Sequence, residues 1–187
     1  MRVLVTGGCG LVGFHAAMYY KSQGHDVEVM DNLERSSLLG YVVADERKYF
    51  NARRLRDNHI TVYGYDVSSP EWERLGGHDL IIHMAGQCGV PTSIEDPRRD
   101  FEVNTLGTLN ALEYARQHGS KLVFASTNKV YPIHGPFCLS PDHKRWEFKI
   151  PTLKENGFPE TNRLEGARTP YGQSKYAADL MCQEWSH

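Results

Sequence analysis

Tyr171 and Lys175 stand four residues apart in the stretch Y-G-Q-S-K near the end of the 187-residue sequence. Residues with this spacing share one face of a helix, so the ammonium of Lys175 is expected beside the phenol of Tyr171. A phenol has a reference pKa of about 10 and is a poor base at neutral pH. A neighbouring positive charge favours its ionised form. The pair is therefore a candidate for proton transfer, although a chance exposed pair on a helix has the same spacing.

A second candidate site is the glycine turn T-G-G-C-G-L-V-G from Thr6 to Gly13, which follows the apolar run V-L-V. In a strand-turn-helix unit, such a turn lets the backbone approach a pyrophosphate at the helix N-terminus. Asp31 follows the next apolar run, near the position where a carboxylate bonds the ribose of NAD and repels the 2′-phosphate of NADP. We therefore expect NAD. The alternatives are a capping role for Asp31 and, with Arg35 nearby, NADP.

These two sites must be positioned by alternating strands and helices. Helical spacing of Leu11, His15, Met18 and Tyr19 predicts a helix after the glycine turn, and a long helix is predicted over 96–118. Strands are predicted at 3–5, 27–31, 60–65, 79–85 and 121–125. This alternation predicts an α/β fold of Rossmann type, a doubly wound parallel sheet with helices on both faces.

The segment from Tyr131 to Tyr171 has six prolines and no sustained periodicity. A connection of this length is usually functional or disordered. Because it also contains Phe137, Trp146, Phe148 and Phe158, we expect part of a substrate pocket wall. The basic stretch 47–56 predicts a solvated helix face, or alternatively a phosphate or RNA site.

Composition narrows the class of protein. The formal net charge is −2, without the basic excess of a protein that works by binding nucleic acid. The apolar runs are too short for a membrane span or a secretory signal, so a cytoplasmic location is expected. The four cysteines, at positions 9, 88, 138 and 182, lack metal-site spacing and are expected to be reduced and mostly buried.

Seven motifs in order along the chain resemble the extended short-chain dehydrogenase/reductase family, which includes NAD-dependent nucleotide-sugar epimerases and dehydratases. Besides the glycine turn and Y-G-Q-S-K, they are D-N-L at 31–33, D-V at 66–67, H-M-A-G-Q at 83–87, N-T-L-G-T-L-N at 104–110 and S-T-N-K-V-Y at 126–131.

The resemblance implies an NAD site and assigns its residues. The glycines at the pyrophosphate would be Gly7, Gly10 and Gly13, with backbone amides from Leu11 and Val12. Asp31, with Asn32 beside it, would hold the adenosine ribose, and Asp66 and Val67 would flank the adenine. Ala85, Gly86 and Gln87 would follow the cofactor, Asn104 would support the site, and Lys175 would also bond the nicotinamide ribose.

The resemblance also implies the catalytic residues Thr127, Tyr171 and Lys175. Tyr171 would take the proton from a sugar hydroxyl held by Thr127, while the hydride leaves for the nicotinamide and returns on the other face. In 4,6-dehydratases an acid pair follows the threonine, whereas this chain has Asn128 and Lys129. The motif looks most like the branch of CDP-tyvelose (CDP-paratose) 2-epimerases. A 4,6-dehydratase, a 4-reductase and a noncatalytic NAD-binding regulator are the alternatives.

Family members continue well beyond the Tyr-x-x-x-Lys helix, whereas here twelve residues follow Lys175. We therefore expect one NAD-binding domain over 1–187 and a missing C-terminal substrate lobe. The expected substrate is a CDP- or UDP-linked sugar. A homodimer is expected through the 96–118 helix and the helix from Tyr171, with Leu106, Leu109, Leu112 and Tyr114 as its apolar surface.

Overall fold

A five-stranded parallel sheet forms the centre of the molecule. The computed structural model describes residues 1–34, 49–132, 137–142 and 144–186. The strands are β1 (Arg2–Thr6), β2 (Asp26–Met30), β3 (Thr61–Tyr63), β4 (Leu80–His83) and β5 (Lys121–Phe124). Their order is β3-β2-β1-β4-β5, and Val3 of β1 pairs with Val27 on one side and with Leu80 on the other. The predicted strands are confirmed, with β3 and β4 shorter than expected.

Both faces of the sheet are covered by helices. On one face Val3, Val5 and Val29 pack against residues of the first two helices, such as Phe14 and Leu55. On the other face, Leu4, Met30 and Ile81 meet Trp72, Val103 and Tyr114. Strands that are buried on both sides read as continuous apolar runs, as V-L-V does. The predicted doubly wound Rossmann-type fold is confirmed.

The first helix, α1 (Leu11–Ser22), forms where it is expected but buries a different face. Leu11 and Tyr19 are exposed, whereas Gly13, Phe14 and Ala17 are buried. The close approach of Gly13 to the Gly7 carbonyl sets the rotation of α1, which turns Phe14 and Ala17 towards the core. Leu11 and its neighbour Val12 are exposed at the N-terminus of α1.

The predicted helix over 96–118 is confirmed and has an irregular middle. It consists of α4 (Pro97–Phe101), a π-helical turn (Glu102–Leu106) and α5 (Gly107–His118), which follow one another without a gap. A π-helical turn accommodates an additional residue and is frequent at functional sites. The other helices among the described residues are α2 (Phe50–Asp57), α3 (Val90–Glu95), α6 (Pro151–Asn156) and α7 (Pro170–Glu184), with 3₁₀ turns at Pro70–Arg74 and Asn128–Val130.

The proline-containing segment is more ordered than its sequence indicates. It carries an antiparallel hairpin, β6 (Phe137–Leu139) and β7 (Trp146–Phe148), followed by α6. Strands of three residues are too short to produce a visible alternation. The Phe158 ring stacks on Tyr131 at 5.8 Å and meets Phe148 edge-on at 5.0 Å. The role of this segment as part of a substrate pocket wall stays a prediction.

Three of the cysteines are more exposed than the sequence predicts. Cys88 is exposed, and Cys9 and Cys182 are half-buried free thiols, so the expected burial is wrong for these three.

The basic stretch and the membrane prediction concern other parts of the chain. In the basic stretch, the guanidinium of Arg54 lies 5.0 Å from the Phe14 ring. Arg35, Arg47 and Lys48 lie outside the described residues. None of the helices described is long and apolar enough to cross a membrane.

Candidate active site

The predicted site residues meet at the carboxyl ends of the parallel strands. The glycine turn follows β1, Asp31 follows β2, Ala85 follows β4 and Thr127 follows β5. Because the connections of β1 and β4 leave the sheet on opposite sides, a crevice forms between their ends. Open α/β sheets bind their ligands at this switch point.

The glycine turn is tightly packed against the backbone after β4. Gly7 has a φ of 65°, and a Cβ atom there would lie 2.7 Å from the Ala85 nitrogen. A Cβ atom on Gly13 would collide with the carbonyl oxygen of Gly7. The Gly10 amide donates to that same oxygen at 3.0 Å. These close approaches require glycine at positions 7 and 13.

The N-terminus of α1 faces this turn without a side-chain cap. Gly10 is the N-cap residue and supplies no side-chain hydrogen bond, and the side chains of Leu11 and Val12 are exposed. The first amides of a helix need acceptors, and an anion can supply them. The uncapped amides, the compact turn and the carboxylate at the end of β2 together fit the pyrophosphate and ribose of a dinucleotide.

Asp31 holds the turn from the side of β2. Its carboxylate accepts hydrogen bonds from the backbone amides of Cys9 and Leu33, both at 2.8 Å. The alternative capping role is therefore present, and the ribose role stays a prediction. Burial and the charge of Asp31 raise the pKa of the Cys9 thiol to about 12.

Asp66 is the centre of a polar cluster at the expected adenine end. One carboxylate oxygen accepts from the amide and hydroxyl of Ser68, and the other accepts from Asn32 at 2.7 Å and Arg99 at 2.5 Å. Arg99 also pairs with Glu34. Burial raises the pKa of Asp66, but these hydrogen bonds outweigh it and lower the pKa to about 2. Four donors use all the acceptor positions of a carboxylate, so an adenine amino group would have to displace one of them.

Val67 lies at the same end and belongs to the core. Its side chain is 5% exposed, and a Cβ atom on Gly107 would lie 2.7 Å from it. Its carbonyl oxygen accepts from the indole of Trp72 and from Asn110, both at 2.9 Å. The position suits an apolar wall beside the adenine, a role that stays a prediction.

Asn104 holds the strand extension after β4. Its side-chain oxygen accepts from the Gln87 amide at 2.9 Å, and its amide group donates to the Gln87 carbonyl at 3.1 Å. A Cβ atom on Gly86 would lie 3.1 Å from the same oxygen of Asn104. The side chain thus bonds the backbone of Gln87 as a neighbouring strand would. The predicted role of Asn104 in supporting an NAD site stays a prediction.

A chain of hydrogen bonds beneath the site defines the state of His83, which is buried. Thr108 donates to the Asn104 carbonyl at 2.6 Å, so it accepts from His83 Nε2 at 3.3 Å. His83 Nδ1 is then the acceptor for Thr6, at 2.8 Å. Burial and the charge of Lys175 lower the pKa of His83 to about 3. The ring is therefore neutral, with its proton on Nε2.

Tyr171 and Thr127 come close together, although 43 residues of chain separate the two. Thr127 is the N-cap of the 3₁₀ turn, and Tyr171 lies in the first turn of α7, where its amide donates to Ser93. The two turns are packed so tightly that a Cβ atom on Gly172 would lie 2.5 Å from the Lys129 carbonyl oxygen. Burial raises the pKa of Tyr171, the Thr127 hydroxyl lowers it, and the charges of Cys88 and Asp100 raise it further. The net shift is upward, opposite to the shift expected from the Lys175 charge alone.

Lys175 lies one turn along α7 and points towards β5. Its ammonium donates to the Ala125 carbonyl at 2.7 Å and lies 4.0 Å from the centre of the Phe124 ring. Lys175 as a whole is only 6% exposed. Burial lowers the pKa of Lys175 to about 8, although nearby acidic groups oppose this. The structure thus directs the ammonium to Ala125 and Phe124, and its predicted place beside the Tyr171 phenol stays a prediction.

The sequence motifs left several polar residues of the site unnoticed. Asp100 and Ser174 are fully or almost fully buried between α4 and α7, and Ser93 supports the Tyr171 amide. One signal was available, because Asp100 precedes Asn104 by one helical turn and Ser174 precedes Lys175. Among the residues described, no group of three His, Cys, Asp or Glu side chains could hold a metal ion.

Comparison with known proteins agrees with this geometry. The sequence profile of the NAD dependent epimerase/dehydratase family matches residues 3–187. The chain belongs to this family. The predicted resemblance is thereby confirmed, and so are membership of an enzyme family and NAD as the cofactor for which the family is named.

Individual relatives are similar over almost the whole chain. It is 37% identical to a CDP-paratose 2-epimerase from Salmonella typhi, over 100% of this chain and 53% of that protein. A UDP-glucose 4-epimerase from Thermus thermophilus, solved in complex with NAD, has 31% identity and a TM-score of 0.62 and covers 100% of this chain and 51% of its own. A dTDP-glucose 4,6-dehydratase from Streptomyces venezuelae has 26% identity and a TM-score of 0.67, over 99% of this chain and 51% of its own. The chain thus spans about half the length of these relatives.

Proposed function

We propose that the protein containing this chain is an NAD-dependent nucleotide-sugar epimerase, and that the chain supplies its cofactor-binding and catalytic half. The observation that supports this most directly is the packing of the first turn of α7, which carries Tyr171, against the 3₁₀ turn that Thr127 caps, where a Cβ atom on Gly172 would lie 2.5 Å from the Lys129 carbonyl oxygen. A hydroxyl and a phenol on two such neighbouring turns can bind and deprotonate a third hydroxyl placed between them. Fold membership alone would not carry this conclusion.

The proposed cofactor contacts run from the glycine turn to the backbone after β4. The turn at Gly7, Gly10 and Gly13 and the amides of Leu11 and Val12 would take the pyrophosphate. Asp31 and Asn32 would serve the ribose, and Asp66 and Val67 the adenine. Ala85, Gly86 and Gln87 lie after β4, between the turn and Asn104. NAD, when bound there, supplies a hydride acceptor that becomes the donor for re-reduction.

Side chains of this chain would transfer the proton of the sugar hydroxyl. Tyr171 must be ionised to take a proton from the sugar hydroxyl, and burial opposes ionisation. The Thr127 hydroxyl favours ionisation, because it lowers the pKa of Tyr171. We therefore expect turnover to rise with pH as the Tyr171 phenol ionises. Thr127 would hold the sugar oxygen within reach, which fixes the carbon that loses its hydride.

Asn128 and Lys129 favour an epimerase over a 4,6-dehydratase. Both follow Thr127 in the 3₁₀ turn and both are exposed. Elimination of water needs one group to protonate the leaving hydroxyl and another to accept a proton, and an amide and an amine are a poor pair for this. Similarity to a CDP-paratose 2-epimerase supports a CDP-linked sugar. Likeness to a dehydratase structure keeps dehydration as the second candidate.

The deciding experiment follows product mass. The protein is incubated with CDP- and UDP-linked sugars, and the products are analysed by mass spectrometry and chromatography. We expect stereoisomers of unchanged mass and no net change in NAD. A product lighter by one water would reject the epimerase in favour of the dehydratase, and NAD binding without turnover would favour a regulator.

A variant of the base tests the assigned role. Tyr171→Phe is expected to lower turnover by about 10²- to 10⁴-fold, the usual contribution of a general base, with NAD affinity nearly unchanged. Tyr19→Phe is the matched control, because Tyr19 is exposed on α1. Turnover by Tyr171→Phe at the normal rate would refute the assignment.

The homodimer remains a proposal, and its expected apolar surface needs correction. Leu112 and Tyr114 are 4% and 3% exposed, so both belong to the core of this chain. Leu106 is exposed on the π-helical turn, and Leu180 is exposed on α7. We propose that these two elements still form the interface, and sedimentation at micromolar concentration tests it. A cytoplasmic location stays a prediction from the sequence.

A further inference from the structure

Asp100 is a buried carboxylate that the proposed reaction does not use. It lies on α4 and is 0% exposed. One of its oxygens accepts from the Asn104 amide group at 3.2 Å, and the other accepts from the Ser174 hydroxyl. Both donors are uncharged. Burial of a carboxylate against uncharged donors is costly, so a structural or functional gain must offset it.

Ser174 joins this carboxylate to the catalytic helix. It lies three residues after Tyr171 and next to Lys175 on α7 and is 2% exposed. Its hydroxyl also accepts from Asn104 at 3.1 Å, and its carbonyl accepts from Thr105 at 3.0 Å. Three side chains of the α4 and π-helical segment thus hold one residue of α7. Because a helix is rigid over one turn, holding Ser174 fixes the height and rotation of Tyr171.

The position of Tyr171 on α7 determines how close its phenol lies to Thr127. Thr127 comes from the turn after β5, and the residue after Tyr171 packs against that turn, where a Cβ atom on Gly172 would lie 2.5 Å from the Lys129 carbonyl oxygen. The charged or titratable groups near the phenol are Cys88 after β4, Lys129 in the same turn as Thr127, and Lys175 on the same helix as Tyr171. A small displacement of α7 would separate the Tyr171 phenol from the Thr127 hydroxyl without unfolding the domain.

We propose that the buried Asp100–Ser174 pair is a positioning device that holds Tyr171 against Thr127. Asp100 acts through the Ser174 hydroxyl and does not touch the reacting atoms. The inference rests on the proposed function only for its effect on turnover. Its effect on the Tyr171–Thr127 contact is independent of any substrate.

The test uses tyrosine ionisation without NAD or sugar. Tyr171 is titrated as the difference in tyrosinate absorbance between each protein and the same protein carrying Tyr171→Phe. Thr127→Val removes the hydroxyl that lowers the pKa of Tyr171, so this variant is expected to raise that pKa. Ser174→Ala keeps the Asp100 charge and is expected to raise the pKa similarly. The double variant Thr127→Val/Ser174→Ala should raise the pKa of Tyr171 no further than Thr127→Val alone.

Turnover gives a second readout. Ser174→Ala and Asp100→Asn are each expected to lower kcat by about 10- to 100-fold with KM little changed, the effect of a slight misplacement of a catalytic group. The double variant should be no worse than the poorer single variant. Asp96→Asn is the control, because Asp96 caps α4 through the Arg99 amide and is exposed.

Two results would overturn the proposal. One is an unchanged Tyr171 titration in Ser174→Ala, whether or not Thr127→Val moves it. The other is additive loss of kcat in the double variant, which would mean that Asp100 does not act through Ser174. A protein that shows the expected titrations but no epimerase activity would reject the proposed function alone.

Discussion

Gly7 and Gly24 offer a controlled measurement of how tightly the glycine turn is packed. Both have left-handed backbones, with φ values of 65° and 80°. A Cβ atom on Gly24 would meet nothing within 4 Å, whereas one on Gly7 would lie 2.7 Å from the Ala85 nitrogen and 2.8 Å from the Ala85 Cα. Alanine at either position pays the same cost in backbone strain. Only alanine at position 7 also collides with backbone atoms that cannot rotate away.

The expected free energies follow from these two contributions. An alanine in the left-handed region costs about 1 kcal/mol relative to glycine. Overpacking adds roughly 1–3 kcal/mol. Gly24→Ala should therefore lower the free energy of unfolding by about 1 kcal/mol, and Gly7→Ala by about 2–4 kcal/mol. The gain from a stiffer unfolded chain is the same for both and cancels in the comparison.

Urea denaturation followed by tryptophan fluorescence measures this difference, since Trp72 is buried in the core. Calorimetric titration with NAD is the second assay. We expect Gly7→Ala to weaken NAD binding, because the turn and the backbone at Ala85 must move apart. Gly24→Ala should leave NAD binding unchanged. Equal losses of stability in the two variants, or unchanged NAD affinity in Gly7→Ala, would refute the reasoning.

Three further predictions concern single side chains. NAD should bind more tightly than NADP. Asp31→Asn should weaken the affinity for NAD by about 10-fold and reduce the preference for NAD over NADP, as titrations with both cofactors would show. His83 has a folded pKa of about 3, below its unfolded value, so its contribution to stability is complete above about pH 6.5 and is lost as pH falls. Between pH 7 and 5 the loss is about 2 kcal/mol, and urea denaturation of His83→Gln should show that much less pH dependence. Iodoacetamide should label exposed Cys88 before Cys9 and Cys182, whose pKa values burial raises to about 12 and 11, and peptide mapping that finds equal labelling would contradict this.

The fold was predictable because its strongest signals are local. A buried parallel strand must be apolar throughout, as Val3 to Val5 are, and a turn that touches neighbouring backbone must contain glycine, as at Gly7. Helical spacing likewise places Tyr171 and Lys175 on one face. Each of these constraints acts within a few residues and is therefore visible in the sequence.

Other features depend on contacts between distant parts of the chain. The buried face of α1 is formed by Phe14 and Ala17, because the close approach of Gly13 determines how the helix rotates. An aspartate on a helix normally indicates a solvated face, and the burial of Asp100 appears only when α7 packs against α4. Spacing assigns Lys175 to a face but does not specify its rotamer, which the Ala125 carbonyl determines.

Arg99 and Asp100 are consecutive residues of α4, and their side chains serve opposite ends of the crevice. Arg99 holds Asp66 at the expected adenine end, and Asp100 holds Ser174 on the catalytic helix. A substitution that displaces the α4 backbone would therefore disturb both ends of the crevice at once, whereas a ligand that moves only the Arg99 side chain would leave Asp100 in place.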